Sequence, residues 1–210
     1  MGAATWGGVE ESAAAGGRRP GRPRDVTIGP RVLAAASALF GEVGYEGGSI
    51  AAISERSGVG KPSIYLRWRN RHELFVACVR ALGPLPPPPV PAATLAGDLT
   101  AWAEDASEAL TGRERRLVRA ALFSALTDLE VATALDETLL APIRERLAAV
   151  LGRWPEAAAA GDRGTPAAVA SALLAPLVHA VAIGRPTVDA RTAAELVARS
   201  LAHEAGAARS

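Results

Sequence analysis

The sequence predicts an all-helical fold, and three observations lead to that prediction. Apolar residues recur three and four positions apart along most of the chain, which places them on one face of a helix. No stretch alternates apolar and polar residues as a half-buried strand does. Glycine and proline lie mainly between the periodic segments, where they end one helix and begin the next. The chain has 210 residues, of which 49% are hydrophobic, so it can form a sizeable core in one or two domains.

The first predicted helix begins near Thr27, and a second, shorter helix begins after Ser49. The apolar face of the first helix consists of Val32, Leu33, Ala36, Leu39, Phe40 and Val43. Gly44 is placed to end this helix in the left-handed conformation that glycine adopts readily. The Ser49 hydroxyl is suited to cap the second helix, whose Ile50 and Ile53 face inward.

A third helix is predicted to follow a tight turn. The turn is SGVG, residues 57–60, and the helix is KPSIYLRW, residues 61–68, which makes about two turns. Pro62 falls in the first turn, where a missing amide hydrogen is no loss. Ile64 and Trp68 share an inward face, so the residues that point outward or sideways are Lys61, Ser63, Leu66 and Arg67. Three short helices with such a turn form a helix-turn-helix unit, whose third helix can lie in the DNA major groove.

Asn70 begins a fourth predicted helix, whose apolar side consists of Leu74, Phe75, Cys78, Val79 and Leu82. Next, GPLPPPPVP, residues 83–91, has six prolines in nine positions and predicts a stiff spacer. Further helices are predicted over residues 94–110, 114–127, 130–152, 166–183 and 189–205. The predicted domains are therefore a tail with a basic arm (1–24), a helix-turn-helix domain (25–82), a Pro-rich linker (83–93) and a second helical domain (94–210).

Charge is distributed unevenly although the net charge is only +1. Residues 18–80 carry eleven basic against five acidic residues, whereas residues 81–210 carry twelve against fifteen. This asymmetry favours a nucleic-acid-facing segment joined to a segment with another task. A solvated basic surface is the alternative interpretation.

Motifs of enzymes and metal sites are missing from the sequence. It has no glycine-rich phosphate loop and no Ser, His and Asp set in a recognisable context, and its three histidines are too scattered for a zinc motif. The one cysteine, Cys78, lies on an apolar helix side, where it is either inert or redox-sensing. We expect no enzymatic activity, no metal and no cofactor. We also expect no membrane span, since no uncharged apolar run is expected to approach the roughly 20 residues that cross a bilayer, and no secretory signal, and so a cytoplasmic protein.

Residues 47–75, GGSIAAISERSGVGKPSIYLRWRNRHELF, resemble the DNA-binding signature of the tetracycline-repressor (TetR) family, and VLAAASALFGEVGYEG before them resembles its first helix. The resemblance depends on Phe40, Gly44, Tyr45, Ile53, Gly58, Val59, Tyr65, Trp68, Glu73, Leu74 and Phe75. It is close over residues 27–82 and elsewhere concerns only length and general layout. It implies a dimeric regulator with an N-terminal DNA-binding domain and a C-terminal domain that binds a small molecule and dimerises.

The resemblance also implies which side chains contact DNA. Ser49 stands at the helix-capping position near a phosphate, and Arg71 stands where a phosphate-binding lysine is usual. The recognition-helix positions are Lys61, Pro62, Ser63, Tyr65 and Leu66. Gly60 replaces the usual capping serine, and Leu66 offers only an apolar contact, such as one with a thymine methyl. Base readout then falls to Lys61, Ser63 and Arg67, while Tyr65 either binds a phosphate through its hydroxyl or packs against its neighbours.

The segment GRPR suggests a second contact with DNA. Short Arg-Pro segments flanked by glycine can lie in the narrow minor groove of A·T-rich DNA, so we expect Arg22 and Arg24 to add affinity. The alternative is a disordered tail that only improves solubility.

The resemblance implies a dimer through the last two helices, which would join the partner's pair in a four-helix bundle. The apolar stripes on these helices consist of Val169, Leu173, Leu177, Val181, Leu196, Val197 and Leu201. The alternative is a monomer that buries them internally. Candidate lining residues of an effector cavity, each of which could equally be plain core, are Trp102, Phe123, Leu126, Leu139, Trp154 and His179. The few polar residues on these faces favour an apolar or aromatic effector, and His179 on its apolar helix is expected inside the protein.

Together these observations predict a homodimeric, DNA-binding transcriptional repressor that a small-molecule effector releases from a palindromic double-stranded operator. The alternative is a sequence-independent DNA-binding protein without an effector. A regulator prefers its operator by at least about 10³-fold, whereas the alternative binds any duplex similarly.

Overall fold

The computed structural model describes residues 27–83, 90–111, 115–183 and 189–207, and within these ranges it contains helices and no strands. The α-helices are α1 Ile28–Gly47, α2 Ile50–Ser57, α3 Lys61–Tyr65, α4 Arg71–Arg80, α5 Leu95–Thr111, α6 Arg115–Ala125, α7 Leu129–Leu135, α8 Ala141–Leu151, α9 Pro155–Ala159, α10 Pro166–Ile183 and α11 Ala190–Ala207. A π-helical turn, Asp136–Leu140, joins α7 to α8, and a 3₁₀ turn, Gly161–Gly164, precedes α10. The predicted all-helical fold is confirmed.

The cap predicted at Ser49 and the helix start predicted at Asn70 are confirmed. The Ser49 hydroxyl accepts a hydrogen bond from the Ala52 amide at 3.2 Å and so caps α2. The Asn70 side-chain oxygen accepts one from the Glu73 amide at 2.8 Å and so caps α4. Each cap satisfies an amide that has no partner within its own helix.

The prediction for Gly44 is right in position and wrong in conformation. Gly44 has a φ of 75° and a ψ of 174°, and the helical chain bends there and continues to Gly47. That ψ is far from the left-handed helical value of about +47°. Past the bend, the Tyr45 ring packs against the Phe75 ring, with centroids 5.0 Å apart.

An aromatic pair forms the centre of the first four helices. Phe40 and Phe75 meet edge to face with ring centroids 4.9 Å apart, and both side chains are completely buried. The chain passes so close to this pair that a Cβ atom at Gly48 would lie 2.4 Å from the Phe40 ring. Glycine is therefore required at position 48 by the close approach.

The core is shared between the N-terminal and C-terminal helices. α1 packs against α6, and α4 packs against α1, α6 and α7. The buried apolar side chains from Val32 in α1 to Leu201 in α11 form one contiguous cluster. Residues 84–89 of the predicted linker lie outside the described residues.

The helix predicted over 130–152 is wrong as a continuous α-helix. It divides into α7, the π-helical turn and α8, and Pro142 follows the turn directly. Proline has no amide hydrogen and its ring clashes with the preceding turn of an α-helix, so a wider turn there accommodates it. The helix α9 lies between the helices predicted over 130–152 and 166–183, where the sequence predicts none. Pro155 starts α9 at a position where proline is favoured.

A buried carboxylate joins the beginning of α5 to the turn between α8 and α9. Asp98 is 2% exposed, and its Oδ1 accepts a hydrogen bond from the Ala92 amide at 2.6 Å. Its Oδ2 accepts hydrogen bonds from Arg153 at 2.8 Å and from Trp154 Nε1 at 2.7 Å. Burial alone would raise the pKa of Asp98, but these hydrogen bonds outweigh it and hold the pKa below its ordinary value of 3.8.

The helix α10 is unusually apolar. Among the described residues it alone is long and apolar enough to cross a membrane, with a mean hydropathy of 1.9 over its 18 residues, so the expectation of no such run is wrong. The core helix of a soluble protein meets the same criterion, and one side of α10, formed by Val169, Leu173, Leu177 and Val181, is buried in the protein's own core. These four residues are therefore unavailable to a partner, and the prediction that this stripe forms a dimer face is wrong.

Candidate DNA-binding surface

The turn between α2 and α3 is fixed by hydrogen bonds from three side chains. Gly58 ends α2 in the left-handed conformation, with a φ of 64° and a ψ of 22°. The Arg31 guanidinium donates to the Ser57 carbonyl at 2.7 Å, and the Ser54 hydroxyl donates to the Val59 carbonyl at 2.7 Å. The Ser57 hydroxyl accepts from the Val59 amide at 3.3 Å. The angle at which α3 leaves the turn is therefore set by α1 and α2 together.

One side of α3 is anchored in the core. Ile64 is completely buried, and Trp68, just after the helix, is half-buried and packs against the core. The helix has five residues, so it is shorter than predicted. Gly60 offers no side-chain acceptor at its start, as expected from the sequence.

The other side of α3 faces solvent. Lys61 and Pro62 are exposed, Tyr65 is 49% exposed and Leu66 is 82% exposed. Ser63 and Arg67 are half-buried at the edge of this side, and the Arg67 guanidinium donates to the Ser63 carbonyl at 3.2 Å. A leucine that is mostly exposed contributes little to the core, so the Leu66 side chain is available to contact a partner.

The predicted phosphate contact of Arg71 competes with contacts inside the protein. Its guanidinium donates to the carbonyls of Glu46 and Gly48 at 3.0 and 3.1 Å and pairs with the Glu46 carboxylate at 3.2 Å. It also lies over the Tyr45 ring, 4.3 Å from the centroid. Burial lowers the pKa of Arg71, but the contacts with Tyr45 and Glu46 outweigh it and raise that pKa. Arg71 thus holds the start of α4 against the end of α1. A phosphate would bind those guanidinium N–H groups of Arg71 that make no contact within the protein.

The remaining predicted DNA contacts are Ser49, Arg22 and Arg24. The Ser49 side chain is exposed at the start of α2, although its oxygen already caps that helix. Arg22 and Arg24 lie outside the described residues.

The six candidate effector-lining residues lie in different environments. Trp102 and Leu139 are 2% and 3% exposed core residues, and the Trp102 indole donates to the Ile143 carbonyl at 3.1 Å. Trp154 is half-buried and donates to Asp98. Phe123 and Leu126, in contrast, are 55% and 79% exposed. His179 is exposed on α10, so its predicted interior position is wrong: it lies on the side of that helix opposite the buried stripe.

Sequence reasoning missed an interdomain contact. His72 of α4 lies with its Nε2 2.7 Å from Asp128 Oδ2 and its Nδ1 3.6 Å from Glu130 Oε2. Burial raises the pKa of Asp128, but hydrogen bonds from the Val131 amide and from His72 outweigh it and lower that pKa. An Asp before an apolar helical run signals a helix cap, but nothing local in the sequence pairs it with a histidine 56 positions away.

Comparisons with known proteins agree with this architecture. The family described as "Bacterial regulatory proteins, tetR family" matches residues 32–78, and the family described as "Tetracyclin repressor-like, C-terminal domain" matches residues 89–200. The HTH-type transcriptional activator FasR of Mycolicibacterium smegmatis is 38% identical over 72 residues, which are 34% of this chain and 32% of that protein. The alignment therefore spans about a third of FasR.

Two solved structures have the same fold. The regulator FadR from Bacillus subtilis, in complex with stearoyl-CoA, superposes with a TM-score of 0.57 at 15% identity, covering 83% of this chain and 98% of that one. The fatty acid degradation regulator FadR from Bacillus halodurans has a TM-score of 0.57 at 16% identity, covering 87% and 96%. The two family matches together cover most of the described helices, and the chain therefore belongs to the tetR family of bacterial regulatory proteins.

Proposed function

We propose that the protein is a homodimeric, cytoplasmic transcriptional repressor that binds a palindromic operator and is released by a small-molecule effector. Membership of the tetR family makes it a transcriptional regulator, and the finer description is our proposal. The observation that carries it is the orientation of α3: Ile64 anchors the helix, while Lys61 and Leu66 face solvent. A short helix held in this way can enter the major groove of DNA. We propose no catalytic role for the chain.

Each exposed residue of α3 has a proposed role. Lys61 and Ser63 hydrogen-bond to base edges, with Arg67 beside them, and Leu66 contacts a thymine methyl. Tyr65 donates its hydroxyl to a phosphate. Pro62, Ser49 and Arg71 are also proposed to contact the sugar-phosphate backbone of the DNA.

Selection of bound DNA from a random pool tests this function. A recovered palindrome would support a dimer that reads two half-sites about 34 Å apart, one on each recognition helix. Equal binding of all duplexes would instead support the sequence-independent alternative. A reporter gene behind the selected operator then gives the sign of regulation: we expect repression, whereas FasR is named as an activator.

Replacing Lys61 with Ala is expected to weaken operator binding by at least about tenfold, because one cationic contact in the major groove is lost in each half-site. Fluorescence anisotropy at fixed salt measures the affinity. Arg163→Ala is the matched control, since it removes one exposed positive charge that pairs with Glu204 at the far end of the chain. If the two variants bound the operator equally well, α3 would not be the reading helix.

Deletion of residues 1–24 tests the proposed minor-groove arm. If Arg22 and Arg24 of both protomers each neutralise a phosphate, the slope of log affinity against log salt should become shallower by about 4. Titrations of operator at four salt concentrations give the slope. An unchanged slope would show that residues 1–24 do not contact DNA, and it would favour the alternative of a tail that only improves solubility.

The dimer face that we propose is the exposed side of α10 together with α11. Only 28% of α10 is buried within the chain, and its exposed side carries Ala167, Ser171, Ala175, His179 and Ile183 at four-residue spacing. On α11, Leu196 is 54% exposed. Small side chains let two helices approach closely, and burial of this apolar surface drives association.

The effector is proposed to be an apolar or aromatic small molecule. FadR from Bacillus subtilis was crystallised with stearoyl-CoA, a ligand with a long apolar chain, and this supports a comparable class here. An effector acts only if it binds one dimer geometry better than the other. Release from DNA then follows because the two recognition helices no longer match successive major grooves.

A further inference from the structure

A groove lies between α1 and α6, where the N-terminal helices meet the C-terminal helices. Its largest depression has a volume of about 690 Å³, and two adjoining depressions have volumes of about 630 and 480 Å³. Gly41, Glu42 and Arg116 line all three. Volumes of a few hundred Å³ are sufficient for a small-molecule ligand.

Acidic residues in the largest depression are already paired with bases outside its lining. The pairs are Glu42 with Arg56 at 2.7 Å, Glu46 with Arg71 at 3.2 Å and Asp128 with His72 at 2.7 Å. The Arg56 hydrogen bond lowers the pKa of Glu42, so this carboxylate stays ionised and directed at its partner. The lining acids therefore do little to neutralise a basic residue in the groove.

Two arginines in the groove have no such partner among the described residues. Arg116 and Arg119 are three positions apart on α6, which places them on the same side of the helix. Both are exposed and line the groove. Within the described ranges, no acidic group lies at ion-pair distance from either guanidinium. Arg116 is near enough to Glu42 to contribute to the lowering of its pKa, but the two side chains do not form an ion pair. Two unpaired guanidinium groups side by side favour an anion.

Apolar surface continues the groove beside these arginines. Phe123, one helical turn after Arg119, is 55% exposed, and Val43 on α1 is 49% exposed. Ser124 and Thr127 add hydroxyl groups to the lining. An aromatic ring left in solvent beside unpaired cations is suited to a ligand that has both an apolar body and a negative end.

We propose that this groove binds a small amphipathic anion, with its carboxylate, sulfonate or phosphate on Arg116 and Arg119 and its apolar body on Phe123 and Val43. The proposal rests on the proposed function, because it assigns the effector's site and chemical class. It moves the site from the core positions Trp102 and Leu139, which the sequence suggested, to the junction of the two groups of helices.

The geometry of the groove explains how such a ligand would influence DNA binding. A Cβ atom at Gly41 would lie 2.9 Å from the Arg116 Cβ and 3.2 Å from the Leu117 nitrogen, so α1 packs directly on the backbone of α6. A ligand that contacts both helices is sensitive to their separation and angle. Because Arg31 of α1 also holds the turn before α3, a shift of α1 reaches the recognition helix.

The test uses 8-anilinonaphthalene-1-sulfonate, an aromatic anion whose fluorescence increases on binding, with the full-length protein. Replacing both Arg116 and Arg119 with Gln should weaken binding of the probe about tenfold, since charge-assisted hydrogen bonds are lost. Replacing both with Lys should retain most of the affinity. Phe123→Ala should also weaken binding, and it removes a side chain that is mostly exposed and so of little value to the core.

The matched control replaces Arg163 and Arg191 with Gln. Both are exposed arginines that do not line the groove, and each pairs with a surface glutamate. This double variant has the same net charge as the groove variant and should bind the probe as the wild type does. Equal binding by the Gln groove variant and the wild type, or an equal loss in the control, would overturn the proposed site.

Operator binding in the same samples separates this proposal from the proposed function. Without probe, the groove variant should bind the operator within about twofold of the wild type, because these arginines are not on the recognition helix. The probe should weaken operator binding by the wild type and not by the variant. Probe binding without that effect would overturn the effector role. If the wild type recovers no palindrome, the proposed function fails whatever the groove binds.

Discussion

Replacing Ala175 with Glu is expected to convert the proposed dimer into monomers at micromolar concentration. Ala175 is exposed in the middle of the α10 stripe, so a single chain tolerates a charged side chain there. In a two-fold dimer the substitution buries two carboxylates in an apolar interface, and unpaired buried charges are costly. We expect the dimer dissociation constant to increase on the order of 100-fold, which corresponds to about 3 kcal/mol.

Light scattering with size-exclusion chromatography measures the association state, and anisotropy measures the loss of operator affinity that follows from it. Ala149→Glu is the matched control, because Ala149 is an exposed alanine on α8, outside the proposed interface. Dissociation caused by both substitutions, or by neither, would contradict the assignment of α10.

Replacing Asp98 with Asn is expected to lower the free energy of unfolding by about 3 kcal/mol. The amide retains one acceptor oxygen, but its NH₂ group faces the donors of Arg153 and Trp154, so those hydrogen bonds are lost. The Arg153 guanidinium then keeps its positive charge but loses its ion pair with Asp98. Urea denaturation at neutral pH followed by circular dichroism measures the change.

The contribution of Asp98 should depend on pH in a defined direction. Its pKa is lowered in the folded protein, so the unfolded chain takes up a proton first as the pH falls. The stabilisation is therefore fully present above the ordinary pKa of 3.8 and is lost as the pH falls below it towards the folded-state value. The difference between wild type and Asp98→Asn should shrink below that pH.

Asp136→Asn is the control for this measurement. Asp136 also pairs with an arginine, Arg144, at 2.8 Å, but the two side chains are 47% and 42% exposed. Exposed ion pairs contribute about 0–1 kcal/mol, so this variant should remain close to the wild type. If Asp98→Asn lowered the free energy of unfolding by no more than Asp136→Asn does, burial would not strengthen the hydrogen bonds of Asp98.

Local signals in the sequence were sufficient to predict the elements that depend on local chemistry. Ser49 and Asn70 cap their helices because a short polar side chain reaches the amide three residues ahead. Pro62 begins α3 for an equally local reason. The position of α3 therefore followed from adjacent residues.

Features that depend on distant contacts could not be predicted in this way. Apolar residues occur all around α10, and periodicity alone does not show that Val169 and Leu173 face the chain's own core while Ala175 faces solvent. The same limitation applies to Phe123, which helical spacing suggests as a core or cavity residue and which packing leaves 55% exposed. Arg116 has no ion-pair partner among the described residues because the acidic side chains of α1 pair elsewhere, and no local pattern in the sequence encodes that.

The hydrophobic cluster that runs without interruption from α1 to α11 has an evolutionary consequence. A recombination event that exchanged only the first four helices for those of a relative would place new surfaces against the old ones. The mismatched contacts would be those of α1 with α6 and of α4 with α7. A chimaera that exchanged only these four helices should therefore be less stable than the intact protein, unless residues on both sides of the α1–α6 and α4–α7 contacts were changed together.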